Sequence, residues 1–240
     1  MKLSIIMPMY NSEDIKKNIH AATNSLNGVT KDYEIILVND GSTNDCFQQA
    51  KKLENKKLKV VGYSKNKGKG SAIKYGFGFV EGDYVAFVDS GRDINPKQLK
   101  DFIELMEKED ADIIIGSKRH PKSKVHYPPF RRIMSRFYQI LNKILFNLDV
   151  KDTQVGIKLF KKKVLKKIMP KIAIKRFAFD LELLVLASKY KFKIIDAPII
   201  LRYRFKSTIN LTAIFWMLLD TAAIFYRLKI LKYYDKNEKK

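Results

Sequence analysis

The sequence predicts an α/β fold: a mostly parallel sheet with helices on both faces, then amphipathic helices toward the carboxyl terminus. Short β-branched runs alternate with segments of helical length through the first half of the chain. These runs are apolar along their length instead of alternating with polar residues, as in strands buried on both faces of a parallel sheet. The later part differs, carrying longer apolar segments edged with Lys and Arg.

In chain order, "LSIIMPM", "YEIILVND", "KLKVVGY", "DYVAFVD" and "ADIIIGS" read as five strands. The first runs into Pro8, Tyr10 and Asn11, and the second into Asn39, Asp40, Gly41 and Ser42. The third is followed by "NKGKGSA" (Asn66 to Ala72), and the fourth ends at Asp89. In a parallel sheet these ends share one edge, where such folds bind ligands. After Ser117, "PPFRRIMSRFYQILNKILFNL" spaces Phe130, Ile133, Met134, Phe137, Ile140, Leu141, Ile144, Leu145 and Leu148 by threes and fours, with Arg131, Arg132, Arg136 and Lys143 off that stripe. A basic amphipathic helix is expected there, over about 129–148, either at a membrane surface, the favoured reading, or packed on the core. "FAFDLELLVLASKYKFKIIDAPI" reads as a helix and a strand. "INLTAIFWMLLDTAAIFYRLKILKYY" reads as a long apolar helix with a basic end, and Asp220 near its centre argues against a bilayer span. The expected organisation is a catalytic domain over 1–205 and an interfacial helix with its tail over 206–240.

The chain has 240 residues, of which 46% are hydrophobic, enough to bury a full core. Lys and Arg number 47 against 25 Asp and Glu, a net charge of +22 that attracts polyanions: nucleic acid, an anionic membrane surface or phosphorylated substrates. No nucleic-acid recognition motif is present, and the aromatic residues fall on apolar helices instead of alternating with basic ones. A single cysteine, Cys46, excludes an internal disulfide, and Pro8 interrupts "MKLSIIMPMY" too soon for a secretory signal, so a cytoplasmic setting is expected.

Three stretches offer chemistry. Asp40 in "VNDGSTND" either accepts hydrogen bonds from a base or sugar, or belongs to an Asx turn whose Ser42 or Thr43 caps the next helix. In "NKGKGSA", Lys67 or Lys69 meets a phosphate, or Gly68 and Gly70 merely turn the chain into a helix at Ser71. Asp89 and Asp93 suit Mg²⁺, which takes one or two carboxylates and completes its shell with water and substrate phosphates. The alternative makes Asp93 a helix cap ahead of Asn95 and Pro96. A strand-end Asp89 with no evident basic partner in sequence favours the metal.

Taken in order, "PMYNSED", "VNDGSTND", "NKGKGSA", "FVDSGRD", "GSKRH", "DTQVGIKLF" and "RFAFDLELL" resemble the family 2 glycosyltransferases of the GT-A (Rossmann-like) fold. Among them the chain is similar to the dolichyl-phosphate mannose synthase and dolichyl-phosphate glucosyltransferase branch. The resemblance implies that Pro8, Tyr10, Glu13 and Asp40 hold the nucleoside of a sugar donor, with Asn39, Lys69 and Ser90 on the same side and Asp89 near the diphosphate and a Mg²⁺ or Mn²⁺ ion. It implies that Arg131 and Ser135 meet the phosphate of a polyprenyl (dolichyl) acceptor, with Arg119 or Lys118 as a second cationic contact, Arg202 a weaker one, and Asp152 orienting sugar or acceptor. The family's Asp-x-Asp has Gly91 in place of its second acid, and Asp93 is the residue placed to restore the ligand. The implied reaction is single displacement with inversion, moving a hexose from GDP-mannose or UDP-glucose to a polyprenyl phosphate at the cytoplasmic face of a membrane that the protein joins peripherally. A catalytically silent membrane adaptor is the alternative that Gly91 raises.

Overall fold

The computed structural model describes residues 1–91, 93–125, 129–176, 178–201 and 211–236. Its sheet has seven strands: β1 (Leu3–Met9), β2 (Tyr33–Asp40), β3 (Leu58–Tyr63), β4 (Tyr84–Val88), β5 (Ile113–Ser117), β6 (Ile157–Lys161) and β7 (Ile194–Pro198), in the order β3-β2-β1-β4-β6-β5-β7. Strands β1 to β4 are mutually parallel, with Leu3 opposite both Tyr33 and Tyr84. The "GIKLF" stretch becomes β6, inserted antiparallel between β4 and β5. β5 is thereby separated from β4 and pairs in parallel with β7, so the sheet is mostly parallel, as expected, with β6 as its antiparallel member.

Successive side chains point to opposite faces, which divides the core in two. Ile5 and Met7 face a cluster built on α1 (Ile15–Asn27) and α4 (Leu99–Lys108), whereas Ile6, Val38 and Phe87 face one built on α3 (Lys69–Phe77) and α7 (Phe179–Lys189). The short α2 (Cys46–Lys51) and α6 (Lys162–Ile168) complete the cover. Helix α1 buries Ile15, Ile19, Ala22 and Leu26, a single stripe at helical spacing. Helix α4 buries Leu99, Phe102 and Met106, each contributing about 2 kcal/mol by removal of apolar surface from water. All of α7 is buried except its last two residues, Ser188 and Lys189, and it carries Asp180 and Glu182 into the interior.

Helix α5 (Pro129–Phe146) forms where its spacing predicts, but its apolar residues serve two faces. Tyr138, Phe146 and the flanking Leu148 are buried, with Leu141 and Leu145 packed beside them. Ile133, Phe137, Ile140 and Ile144 are exposed, Phe137 at 65% and Ile144 at 75%. Helix α8 (Leu211–Phe225) packs against α5 through Tyr138 hydroxyl with Thr221 Oγ1 at 3.0 Å and through the Phe146 and Phe225 rings. A π-helical turn over 226–230 and α9 (Tyr233–Lys236) follow. Asp220, expected to be costly in α8, accepts the Ala178 N–H at 3.3 Å and so has a partner in the fold. Among the described residues, no helix is long and apolar enough to cross a membrane.

Candidate active site

The carboxyl ends of β1, β2 and β4 converge with the loop after β3. Loops after β1 and β2 are laced together: Asn11 N–H donates to Ser42 Oγ at 3.0 Å, and Thr43 N–H to Asn11 Oδ1 at 2.8 Å. Asn39 rather than Asp40 holds the following turn through its side chain, its Oδ1 accepting Ser42 N–H at 3.2 Å. Asp40 is buried. Its Oδ1 accepts from the Tyr63 hydroxyl at 2.7 Å and Lys67 N–H at 2.8 Å; its Oδ2 accepts from Gly68 N–H at 2.9 Å and Asn66 Nδ2 at 3.1 Å. A carboxylate offers about four acceptor positions, and groups of the chain fill them here. Asp40 thus fixes the "NKGKG" loop. Gly41 permits the approach: with φ at +67°, a Cβ there would lie 2.3 Å from Asn66 N. Beside this cradle Pro8 is half-buried, while Tyr10 and Glu13 are exposed just past β1.

Asp89 does have a basic partner, contrary to the sequence expectation. Lys69, from the start of α3, places Nζ 2.7 Å from Asp89 Oδ1 and 3.7 Å from Asp180 Oδ2. Asp180 is held in turn by the fully buried Lys158, whose Nζ lies 2.7 Å from Oδ1 and donates to Val155 O at 2.6 Å. Burial opposes charge on all three. Asp89 and Asp180 together outweigh it for Lys69, whose pKa is raised, and Lys158 and Lys69 outweigh it for Asp180, whose pKa is lowered. For Lys158 burial prevails over Asp180, and the ammonium is pulled below the usual lysine value. The β4–β6 pairing sets Asp89: its N–H donates to Gly156 O at 3.0 Å, and its carboxylate lies where a Cβ on Gly156 would be 2.0 Å from Oδ2.

Asp89 and Asp93 line one cavity of about 140 Å³, with Gly91, Lys118, Gln154 and Gly156. Asn95, not Asp93, caps the following turn, accepting Lys97 N–H at 3.0 Å, so the capping alternative for Asp93 falls. The space beside Gly91 is open except for Asp93 Oδ2, 3.9 Å from where a Cβ would stand. The Asp93 carboxylate therefore lies within van der Waals reach of that position. Among the described residues, no three His, Cys, Asp or Glu side chains gather as a metal site. A hard divalent cation bound together with a diphosphate needs only one or two carboxylates, and this pair fits that requirement. Ser90 sits half-buried between them in the chain.

On the other side of the cavity, Lys118 Nζ lies 3.0 Å from Asp152 Oδ2, which also accepts Lys118 N–H at 3.2 Å; Asp152 Oδ1 accepts Gln154 N–H at 3.1 Å. Asp152 thus ties the end of β5 to the segment entering β6. Arg119 Nη2 donates to Ser135 Oγ at 2.9 Å, which brings together two residues expected at the acceptor phosphate. The Arg131 side chain and Arg202 lie outside the described residues. Nearby Asp196 is partly buried and accepts Lys151 N–H at 3.2 Å; burial pushes its carboxyl up to about 6.

The profile described as glycosyl transferase family 2 matches residues 4–169, spanning β1 to the end of α6. The chain belongs to that family. Dolichyl-phosphate beta-glucosyltransferase of Dictyostelium discoideum is 31% identical over 215 residues, covering 82% of this chain and 65% of the relative. The Saccharomyces cerevisiae enzyme of the same name is 28% identical over 82% of this chain and 66% of its own. The chain thus spans just under two thirds of each. Among solved structures, glucosyl-3-phosphoglycerate synthase from Mycobacterium tuberculosis, crystallised with Mn²⁺, UDP-glucose and phosphoglyceric acid, superposes with a TM-score of 0.69 at 16% identity, over 94% of this chain and 78% of that one. Mannosyl-3-phosphoglycerate synthase from Rubrobacter xylanophilus gives 0.71 at 16% identity, over 95% and 75%. These likenesses fix the GT-A fold.

In this family 2 chain, sequence reasoning missed Asp180, Lys158 and Gly156 as members of the site. "FAFDLELL" and "DTQVGIKLF" both served as family marks. An acid inside a run as apolar as "FDLELLVL", and a lysine within a strand, were the signals available, because buried charges occur in pairs.

Proposed function

We propose that the protein is an inverting hexosyltransferase that moves a sugar, glucose by the names of its relatives, from a nucleotide diphosphate to a polyprenyl phosphate. The observation that carries this reading is the cavity where Asp89, Asp93 and Lys118 meet at the carboxyl ends of the strands, in a family 2 chain. Asp89 and Asp93 would hold Mg²⁺ or Mn²⁺; bound there, such an ion offsets the charge of a leaving diphosphate. Lys69, bridging Asp89 and Asp180, adds a second cation on that side. Pro8, Tyr10, Glu13 and Asn39 border the nucleoside site, and Asp40 shapes it by holding the 66–68 loop. A phosphate monoester, with its second pKa near about 6, is mostly dianionic at neutral pH and attacks without a general base. Arg119 and Ser135 orient that phosphate, with Arg131 on the same helix and Arg202 as further contacts. Asp152 acts by positioning Lys118, whose side chain faces the cavity.

Peripheral membrane attachment belongs to the same proposal. The exposed Ile133, Phe137, Ile140 and Ile144 of α5 are flanked by exposed Arg132, Arg136 and Lys143, and α8 exposes Phe215, Trp216, Leu218 and Leu219. This combination suits an anionic, cytoplasmic membrane surface. Gly91, together with the Lys69 ammonium against Asp89, favours the silent adaptor as the competing reading. Calorimetric titration with UDP and GDP, with and without Mn²⁺, separates the two. Mn²⁺-enhanced binding of one nucleotide, weakened at least tenfold in Asp89→Ala and in Asp93→Ala, supports the enzyme. Absence of metal-dependent nucleotide binding supports the adaptor.

A further inference from the structure

A second cleft, of about 470 Å³, lies between the loop after β3 and α8, and the reaction described above does not use it. Lys67, Lys175, Arg176 and Arg227 line it, with Asn66, Trp216 and a single acid, Asp220. Lys67, Lys175 and Arg176 are exposed. Arg227 Nη1 is buried there and makes no hydrogen bond among the described residues; Glu182 Oε1 stands 3.8 Å away. Glu182 also fixes the cleft wall, accepting Ala173 N–H at 3.0 Å and Ile174 N–H at 2.7 Å. Four cations stand against two acids, Asp220 in the cleft and Glu182 beside Arg227, and this excess of positive charge attracts an anionic group such as a phosphate.

Two neighbours bear on what such a phosphate carries. Trp216 belongs to the same helix as the exposed Phe215, Leu218 and Leu219, so the cleft opens beside an apolar surface. On its inner side, Asn66 and Arg176 also wall a hollow of about 450 Å³ containing Lys69, Asp180 and Gln154. Gln154 in turn lines the Asp89–Asp93 cavity. Shared walls thus join an apolar surface, a cationic cleft and the reaction centre.

We propose that this cleft is a capture site for the phosphate group of a single-chain phosphate monoester amphiphile, separate from the Arg119–Ser135 pair. The phosphate seats among Lys67, Lys175, Arg176 and Arg227 while the chain lies along Trp216 and the apolar face of α8. Naming this ligand as the sugar acceptor rests on the function proposed above; the site itself does not.

Trp216 is the single tryptophan of the chain, so its fluorescence reports the cleft directly. The full chain is titrated with citronellyl phosphate, with neutral citronellol, with inorganic phosphate and with dioctanoyl phosphatidic acid. The expected result is a saturable change with citronellyl phosphate at concentrations where citronellol gives none. Competition by inorganic phosphate, and affinity at least tenfold weaker in the Lys175→Gln/Arg176→Gln variant, are expected with it. Both residues are exposed, and thermal denaturation of the variant verifies its fold. A preference for phosphatidic acid over citronellyl phosphate would overturn the single-chain assignment in favour of a membrane headgroup. Equal responses to citronellol and citronellyl phosphate, or an unchanged affinity in the double variant, would overturn the site. A protein that transfers sugar without a charge-dependent Trp216 response refutes the cleft alone; one that shows the response without transfer supports the cleft and refutes the proposed reaction.

Discussion

A methyl group on Gly156 would meet Asp89 Oδ2 at 2.0 Å, so Gly156→Ala, just ahead of β6, must displace the carboxylate. A misplacement of about 1 Å can cost about a hundredfold in rate, and sugar transfer is expected to fall by that order with little change in melting temperature. Equal transfer by the variant would mean that Asp89 is not set by this contact. Asp196 carries a different prediction. Its carboxyl titrates near 6 in the fold, above the ordinary value of about 3.9. A raised acid binds its proton more tightly when folded, so its stabilising contribution is full below about pH 4 and lost as pH rises through about 6. Asp196→Asn removes that loss, and its melting temperature relative to the original chain should climb between pH 4 and pH 7.5. A constant difference across that range would contradict the assignment. Neither residue stood out in sequence: the role of Gly156 depends on strand pairing with β4, and that of Asp196 on burial against its neighbours.

Strands and helices were the most legible level, because their signals are local. Leu3–Met9 and Tyr33–Asp40 form where apolar runs predict, and α5 begins and ends within two residues of the expected span. Strand direction is not local, and nothing within "GIKLF" distinguishes an antiparallel insertion from a parallel edge strand. The apolar stripe of α5 likewise predicted a helix without saying which residues the core would take. Its outward row now yields a test. Replacing Phe137 and Ile144 with Ser alters two side chains at 65% and 75% exposure, and stability should change by less than about 0.5 kcal/mol per site. Co-sedimentation with anionic vesicles should drop at least tenfold in the same variant. Undiminished sedimentation would move the membrane contact off α5.

At the scale of the whole molecule, the fold gathers residues far apart in the chain, such as Lys69, Asp89, Lys158 and Asp180, into one charge-balanced group. The edge of the sheet where they meet followed from reading the first strands as parallel, whereas their pairing required the tertiary structure, and it overturned the expectation of an unpartnered Asp89. The net charge of +22 acts at this scale too. Vesicle binding should weaken steeply between low salt and about 0.15 M, where the Debye length shortens to about 8 Å, and salt-independent binding would mean that apolar contact alone holds the protein. The central claim is sugar transfer to a polyprenyl phosphate, and its most direct measurement is incubation of the full chain with radiolabelled UDP-glucose or GDP-mannose, polyprenyl phosphate in detergent, and Mn²⁺ or EDTA. The account predicts a labelled lipid from one donor, dependent on Mn²⁺ and abolished by Asp89→Ala; no labelled lipid from either donor, with vesicle binding intact, would contradict it.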